Sequence, residues 1–178
     1  MAPGYFGDDA ATRSAFRGGR LYTGDLGYFA EGRLYVCGRS KDLIILRGRN
    51  YFPQDIEKII SEVDGVRTSQ VAVFTRPREQ KGAGNGANGS AVRASPSIDV
   101  PSSDERLVAV AEIDNTEHDA MRRAIVTAVH QQMGLRVDEV HFLRRGALPK
   151  TSSGKVRRRE TRARLEAGTL AFAATAEE

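Results

Sequence analysis

From Lys81 to Ser97 the chain carries one large apolar residue, Val92, among glycine, alanine, serine and asparagine. A stretch of that composition cannot bury enough surface to offset the entropy of ordering it. Any core must therefore be assembled from the segments on either side. The whole span from Arg76 to Arg106 reads as a mobile loop inserted between two paired strands. With 178 residues in all, the chain suits one domain, or one domain with a fragment of another.

The flanking segments carry both strand and helix periodicities. Gly27 to Cys37 reads as a hairpin, two short aromatic and aliphatic strands around a glycine-containing turn. Leu43 to Leu46 is a brief apolar strand closed by the polar Arg47-Gly48-Arg49-Asn50. Pro53 then opens a helix as a first-turn proline, with Asp55 and Glu57 near its positive end. Ile56, Ile59, Ile60 and Val63 form the buried stripe of that helix, and Gly65 stops it. Val71 to Phe74 and the alternating Leu107 to Ile113 are strands. A helix is expected from about Thr116 to Met133, stopped by Gly134. Val140 to Leu143 is a further strand and Val156 to Glu166 a final helix, with a tail from Thr169 that reads as frayed. The order describes an α+β unit, a small mixed sheet with helices packed on it, preceded by a β-hairpin.

Charge narrows the range of partners. Between Arg144 and Arg164 stand nine basic residues and one acid, Glu160. That segment is +8, and since the chain totals +4 the remainder is −4. Such asymmetry points to an anionic partner or to a solvated basic helix face. Nucleic acid is disfavoured, because no aromatics interleave the basic residues for base stacking. No apolar run approaches the roughly 18 residues of a membrane span, and Met1 to Tyr5 lacks the features of a signal peptide. The single cysteine, Cys37, rules out an internal disulfide and suits a reducing cytoplasm. Cys37 itself reads as a small buried residue. His118, His130 and His141 lack ligand spacing and are expected at the surface or its boundary. No Cys, His, Asp and Glu cluster suggests a protein metal site.

The densest chemistry lies in Leu148-Pro149-Lys150-Thr151-Ser152-Ser153-Gly154-Lys155. A lysine at the end of a tight polar loop can reach a phosphate or carboxylate as a mobile point charge. A phosphate-binding P-loop is excluded, since that pattern needs glycine at Pro149 and a hydroxyl at Val156. Upstream, Tyr22-Thr23-Gly24-Asp25-Leu26 presents an aspartate from a turn, where it can accept hydrogen bonds from two adjacent hydroxyls. Gly38-Arg39-Ser40-Lys41-Asp42 follows the hairpin, and Arg47-Gly48-Arg49-Asn50 leads into Pro53-Gln54-Asp55-Ile56-Glu57.

Together and in this order, these motifs resemble those of the adenylate-forming ligases, the group that holds acyl-CoA synthetases, fatty acyl-AMP ligases, peptide-synthetase adenylation domains and luciferases. The resemblance runs from Gly4 to about Gly168, apart from the polar span. Residues 1 to about 40 look like the closing strands of the family's large domain, so the hairpin is a remnant of it. Residues 41–178 look like its mobile C-terminal domain. By resemblance, Lys155 stabilises the transition state of acyl-adenylate formation, Asp25 binds the ribose hydroxyls of ATP, and Arg39 contacts the nucleotide. Lys41 matches the pivot of the small domain, with Asp42 beside it as the other candidate. Gly48 lies where the family leaves room for a phosphopantetheine arm.

The Gly-Arg-Asn and Pro-Gln-Asp-Ile-Glu details resemble fatty acyl-AMP ligases more than CoA synthetases. The resemblance therefore implies a ligase that activates a fatty acid with ATP, any Mg²⁺ arriving with the nucleotide. The acyl-adenylate would pass to an acyl carrier protein or a polyketide synthase carrier domain, for lipid biosynthesis. Alternatives are a long-chain acyl-CoA ligase of the same family, a peptide-synthetase adenylation domain, and a non-catalytic module that binds a carrier protein through its basic helix. The family's phosphate-gripping loop and acyl pocket belong to the large domain, so these residues alone are expected to be inactive.

Overall fold

The computed structural model describes residues 4–77, 105–114 and 117–173. The chain divides into two compact units, Met1–Leu43 and Ile44–Glu178. The first begins with a short helix, α1 (Asp9–Ala15), capped by Asp8, whose carboxylate accepts from the Ala11 N–H at 2.8 Å. Residues 1 to about 40 were read only broadly, as closing strands, and this stretch of them is helical. An Asp cap followed by alanines and short polar residues favours helix instead. Strands β1 (Phe16–Arg17) and β2 (Arg20–Leu21) make a small ribbon. The expected hairpin follows as β3 (Asp25–Ala30) and β4 (Arg33–Arg39). Its register shifts at Leu26/Gly27, where the backbone closes tightly. A Cβ at Gly27 would stand 2.6 Å from the Tyr35 carbonyl oxygen, so only glycine fits. Cys37 is half-buried rather than buried. A two-stranded ribbon by itself supplies too few neighbours to enclose a side chain.

In the second unit the apolar strand pairs with a partner the sequence did not reveal. β5 (Ile44–Leu46) runs antiparallel to β6 (Arg49–Tyr51), so the polar segment after Leu46 is a hairpin turn and a strand. Arg47 and Gly48 form the turn, with φ of 51° and 75°. Two successive left-handed residues are what a tight two-residue hairpin requires. Pro53 begins α2 (Pro53–Ser61), as the proline and the isoleucine stripe indicate.

A three-stranded sheet forms the centre, in the order β7 (Val66–Pro77), β8 (Glu105–Ile113), β9 (Glu139–Leu143). β7 pairs antiparallel with β8, and β8 pairs parallel with β9. The crossover between the two parallel strands is α3 (His118–Met133), ended by Gly134 in the left-handed region. The last helix is α4 (Arg158–Glu166). It starts two residues later than expected because Val156 is held extended in a bridge with Lys150. Strand pairing reaches Pro77 on one side and Glu105 on the other, within the ends of the span read as a loop. Residues 78–104 of that span lie outside the described residues.

Both faces of the sheet are covered. Val71, Val73, Leu107, Ala109, Ala111 and Ile113 face the stripes of α2 and α3, with Ile56, Ile60, Ile125 and Val129 fully enclosed. The alternate residues Ala72, Phe74, Val108 and Val110 pack with Leu143, Leu148, Leu165 and Leu170. β8 thus alternates between two apolar cores, not between core and water, as a central strand does. Leu170 is buried, the Ala173 N–H donates to Phe142 O at 2.9 Å, and Phe172 pairs with Leu143. The tail read as frayed is therefore seated on the edge of β9 as far as Ala173, and residues 174–178 lie outside the described residues.

Candidate active-site elements

The Lys155 loop is a compact turn closed by its own backbone. The Arg157 N–H donates to Pro149 O at 2.9 Å, the Thr151 N–H to Lys155 O at 2.8 Å, and the Gly154 N–H to Thr151 O at 2.9 Å. The Thr151 hydroxyl oxygen accepts from the Lys155 N–H at 3.0 Å and lies 2.9 Å from the Ser153 hydroxyl. Threonine and serine stabilise such turns by standing in for backbone partners. Lys155 is exposed, and among the described residues no acid pairs with its ammonium. Lys150, by contrast, is half-buried with Nζ 3.9 Å from Glu112 Oε1. One loop lysine is anchored and the other is available as a point charge.

Two carboxylates secure the roots of this loop. Glu112 on β8 is 1% exposed and accepts from the Leu148 N–H at 2.8 Å. Glu57 on α2 accepts from Arg158 Nε and Nη2, both at 2.6 Å, and from the Val73 N–H at 3.0 Å. Glu57 was expected only as an acid favoured by the helix dipole; it is a bidentate partner of the helix that follows Lys155. Arginines in and just before α4 are matched as well. Arg157 and Arg164 pair with Glu160, and Arg162 pairs with Glu166. The +8 segment is thus partly neutralised by its own fold.

In the first unit, Asp25 and Arg39 stand opposite each other across β3 and β4. The Arg39 Nε–H donates to Asp25 Oδ1 at 3.0 Å. The Asp25 N–H donates to the Thr23 hydroxyl oxygen at 3.1 Å, which shapes the turn that presents the carboxylate. Lys41 and Asp42 lie in a single 3₁₀ turn, Ser40–Asp42, next to the boundary between the units. The Ser40 N–H and hydroxyl both donate to Gly24 O, at 2.9 and 3.1 Å, and tie that turn to the segment before Asp25. Lys41 is exposed and Asp42 half-buried. Four of the residues singled out from sequence are therefore gathered in one place. Gly48 and Lys155 are in the second unit on separate elements, and a Cβ at Gly48 would meet nothing within 4 Å.

Of the three histidines, His130 is exposed and His141 lies at the boundary as expected, and His118 departs from expectation. His118 is buried, its ring 5.2 Å from that of Phe142, because the first turn of α3 lies over the sheet. His141 is half-buried, with Nε2 3.2 Å from Glu139 Oε2. Glu139 also accepts from Arg76 and Arg106. Burial pushes its carboxyl up, but the hydrogen bonds from Arg76, His141 and Arg106 outweigh this and hold it below the ordinary value. No group of three or more metal-ligating side chains occurs among the described residues. No described helix is long and apolar enough to cross a membrane.

Glu57, Glu112 and Arg158 were missed by sequence reasoning. Glu112 left a signal, a single carboxylate inside the apolar run from Leu107 to Ile113. Glu57 was read only within the Pro53–Glu57 motif and as a helix-dipole acid, and nothing local links it to Arg158, 101 positions away.

No protein-family model matches the chain. It is 38% identical over 158 residues to the long-chain-fatty-acid–AMP ligase FadD32 of Mycolicibacterium smegmatis, covering 83% of this chain and 24% of that protein. It is 32% identical over 184 residues to the medium-chain-fatty-acid–[acyl-carrier-protein] ligase JamA of Moorena producens, covering 96% of this chain and 27% of that one. A putative fatty-acid–CoA ligase of Mycobacterium leprae matches as well, at 31% identity over 147 residues, covering 78% of this chain and 21% of that protein. Among solved structures, McyG A-PCP complexed with phenylalanyl-adenylate aligns with a TM-score of 0.74 and 28% identity, over 93% of this chain and 23% of that one. The chain spans about a quarter of the length of the curated relatives it matches. By sequence and by fold it belongs to the adenylate-forming ligases and corresponds to a C-terminal part of them.

Proposed function

We propose that this chain is the C-terminal part of a fatty acyl-AMP ligase, which activates a fatty acid with ATP and passes the acyl group to a carrier-protein thiol. The observation that carries the reading is the exposed, unpaired Lys155 at the edge of a closed turn. In the first step the fatty acid carboxylate attacks the α-phosphorus of ATP, and pyrophosphate leaves with its bonding electron pair. Negative charge builds on the phosphoryl oxygens, and the Lys155 ammonium offsets it. An electrostatic group of this kind commonly contributes on the order of 10²–10³ in rate. Asp25 accepts from the ribose hydroxyls, and Arg39, which already orients the Asp25 carboxylate, contacts the nucleotide.

In the second step the C-terminal unit turns about Lys41, with Asp42 as the neighbouring pivot candidate. This withdraws Lys155 and brings the Gly48 turn toward the adenylate. A position between structured elements, exposed and charged, can absorb such a backbone change. A phosphopantetheine thiol on an acyl carrier protein or polyketide synthase carrier domain then attacks the acyl carbon. The thioester forms, AMP leaves, and the thiol proton passes to solvent. The similarity to JamA, named as an acyl-carrier-protein ligase, supports the carrier as acceptor. Any Mg²⁺ would arrive with ATP and be bound mainly by parts of the protein outside this chain.

A second reading, transfer to CoA, is favoured by the match to a protein named as a fatty-acid–CoA ligase. Labelled fatty acid and ATP, offered to the full-length protein with CoA and with holo-carrier protein separately, distinguish the two. Acyl-AMP that persists with CoA and is consumed by the carrier supports the proposal. Rapid formation of acyl-CoA moves the protein to the CoA ligases, and formation of neither acyl-AMP nor a thioester with either acceptor removes both.

A further inference from the structure

Lys155 acts on a phosphate only if its loop is aimed, and the loop's internal hydrogen bonds make it stiff without fixing it to the sheet. Two carboxylates make that connection, one at each root. Glu112 reaches from the central strand β8 to the Leu148 N–H at 2.8 Å, with Lys150 Nζ and Arg67 Nε each 3.9 Å from its oxygens. Glu57 reaches from α2 to Arg158 at 2.6 Å, and the same Oε1 takes the Val73 N–H of β7. Leu148 and Leu165 also seat the segment in apolar contact. Such contact is non-directional, whereas hydrogen bonds to ionised acceptors fix distance and angle. A strand of leucine, valine and alanine gains nothing in packing from a carboxylate, and burying one is costly unless it is bonded. Glu112 is therefore not explained as core.

We infer that Glu112 and Glu57 are positioning residues for Lys155 in adenylate formation, an inference that rests on the role of Lys155 proposed above. Their contribution belongs to the step in which Lys155 is engaged. Once the acyl-adenylate exists and the lysine has withdrawn, loop placement no longer matters.

The two half-reactions of the full-length protein separate this from general support of the fold. Pyrophosphate release reports acyl-AMP formation, and supplied acyl-AMP with holo-carrier protein reports transfer. Glu112→Leu and Glu57→Leu are expected to lower kcat for acyl-AMP formation about 10–100-fold, the effect of a misplacement near 1 Å. Transfer should stay within about threefold of wild type, since the reacting thiol and acyl carbon are still held by unchanged groups. Glu112→Gln, whose amide oxygen can still accept from Leu148, should recover most of the first step. If Glu112→Leu does not fold, Glu112→Asp retains the charge but falls short of Leu148, and the same selective loss is expected. Equal loss in both half-reactions overturns the inference. So does unchanged acyl-AMP formation in these variants alongside a loss in Lys155→Ala. No loss in Lys155→Ala itself overturns the proposed function and this inference together.

Discussion

Glu57 and Arg158, 101 positions apart, form a two-point ion pair that ties the N-terminal end of α4 to α2. Both side chains are mostly buried, at 13% and 20% exposed, so water screens the pair little. Removing Glu57 takes from a mostly buried guanidinium its two-point carboxylate acceptor. Glu57→Ala should lower the unfolding free energy by about 3 kcal/mol, read from urea denaturation with an unchanged slope. Replacing both by leucine should restore part of that loss, the remainder reflecting the Val73 N–H left without its acceptor.

Lys155→Ala should separate stability from chemistry. The side chain is exposed and pairs with no described acid, so the unfolding midpoint should stay put. Acyl-AMP formation by the full-length ligase should fall by about 10²–10³ in kcat. A parallel loss in melting temperature and rate would show that the loop needs this lysine to fold.

Glu139 gives a pH dependence of defined sign. Its folded pKa lies below the ordinary 4.5, because three donors favour the carboxylate more than burial disfavours it. Such a group adds stability above its unfolded pKa and loses it as pH falls through the folded value. Wild type should therefore exceed Glu139→Gln in stability at neutral pH. The two should converge on acidification below 4.5, and parallel curves down to the acid transition would refute the assignment.

Gly48 occupies the left-handed region with open space around it. Gly48→Ala meets no steric obstacle, and its cost is the backbone conformation alone, about 1 kcal/mol. In the full-length protein acyl-AMP formation should persist while transfer to holo-carrier protein declines. Equal rates for both steps would remove the proposed pantetheine role from this turn.

The chain by itself should release no pyrophosphate from ATP and fatty acid, because it matches only about a quarter of each curated relative. Mixing it with the separately expressed upstream part should restore some turnover. Acyl-AMP made by the 178 residues alone would require a nucleotide site built entirely from them.

Sequence by itself determined the elements whose signals are local. Pro53 with its isoleucine stripe, the β3–β4 hairpin and the Gly134 stop all follow from periodicity and backbone preference within a few residues. The motif order determined the family and the candidate residues Asp25, Arg39, Lys41, Asp42, Gly48 and Lys155, since spacing along the chain is all a motif contains. The β5–β6 hairpin escaped because Arg47 adopts a left-handed conformation that arginine does not advertise. Only the tertiary structure decided that β8 is a central strand buried on both faces, and that the tail to Ala173 docks beside β9. It alone paired Glu57 with Arg158 and Glu112 with Leu148. A carboxylate reads the same in sequence whether water or a distant guanidinium satisfies it, and the choice is made when packing excludes the water.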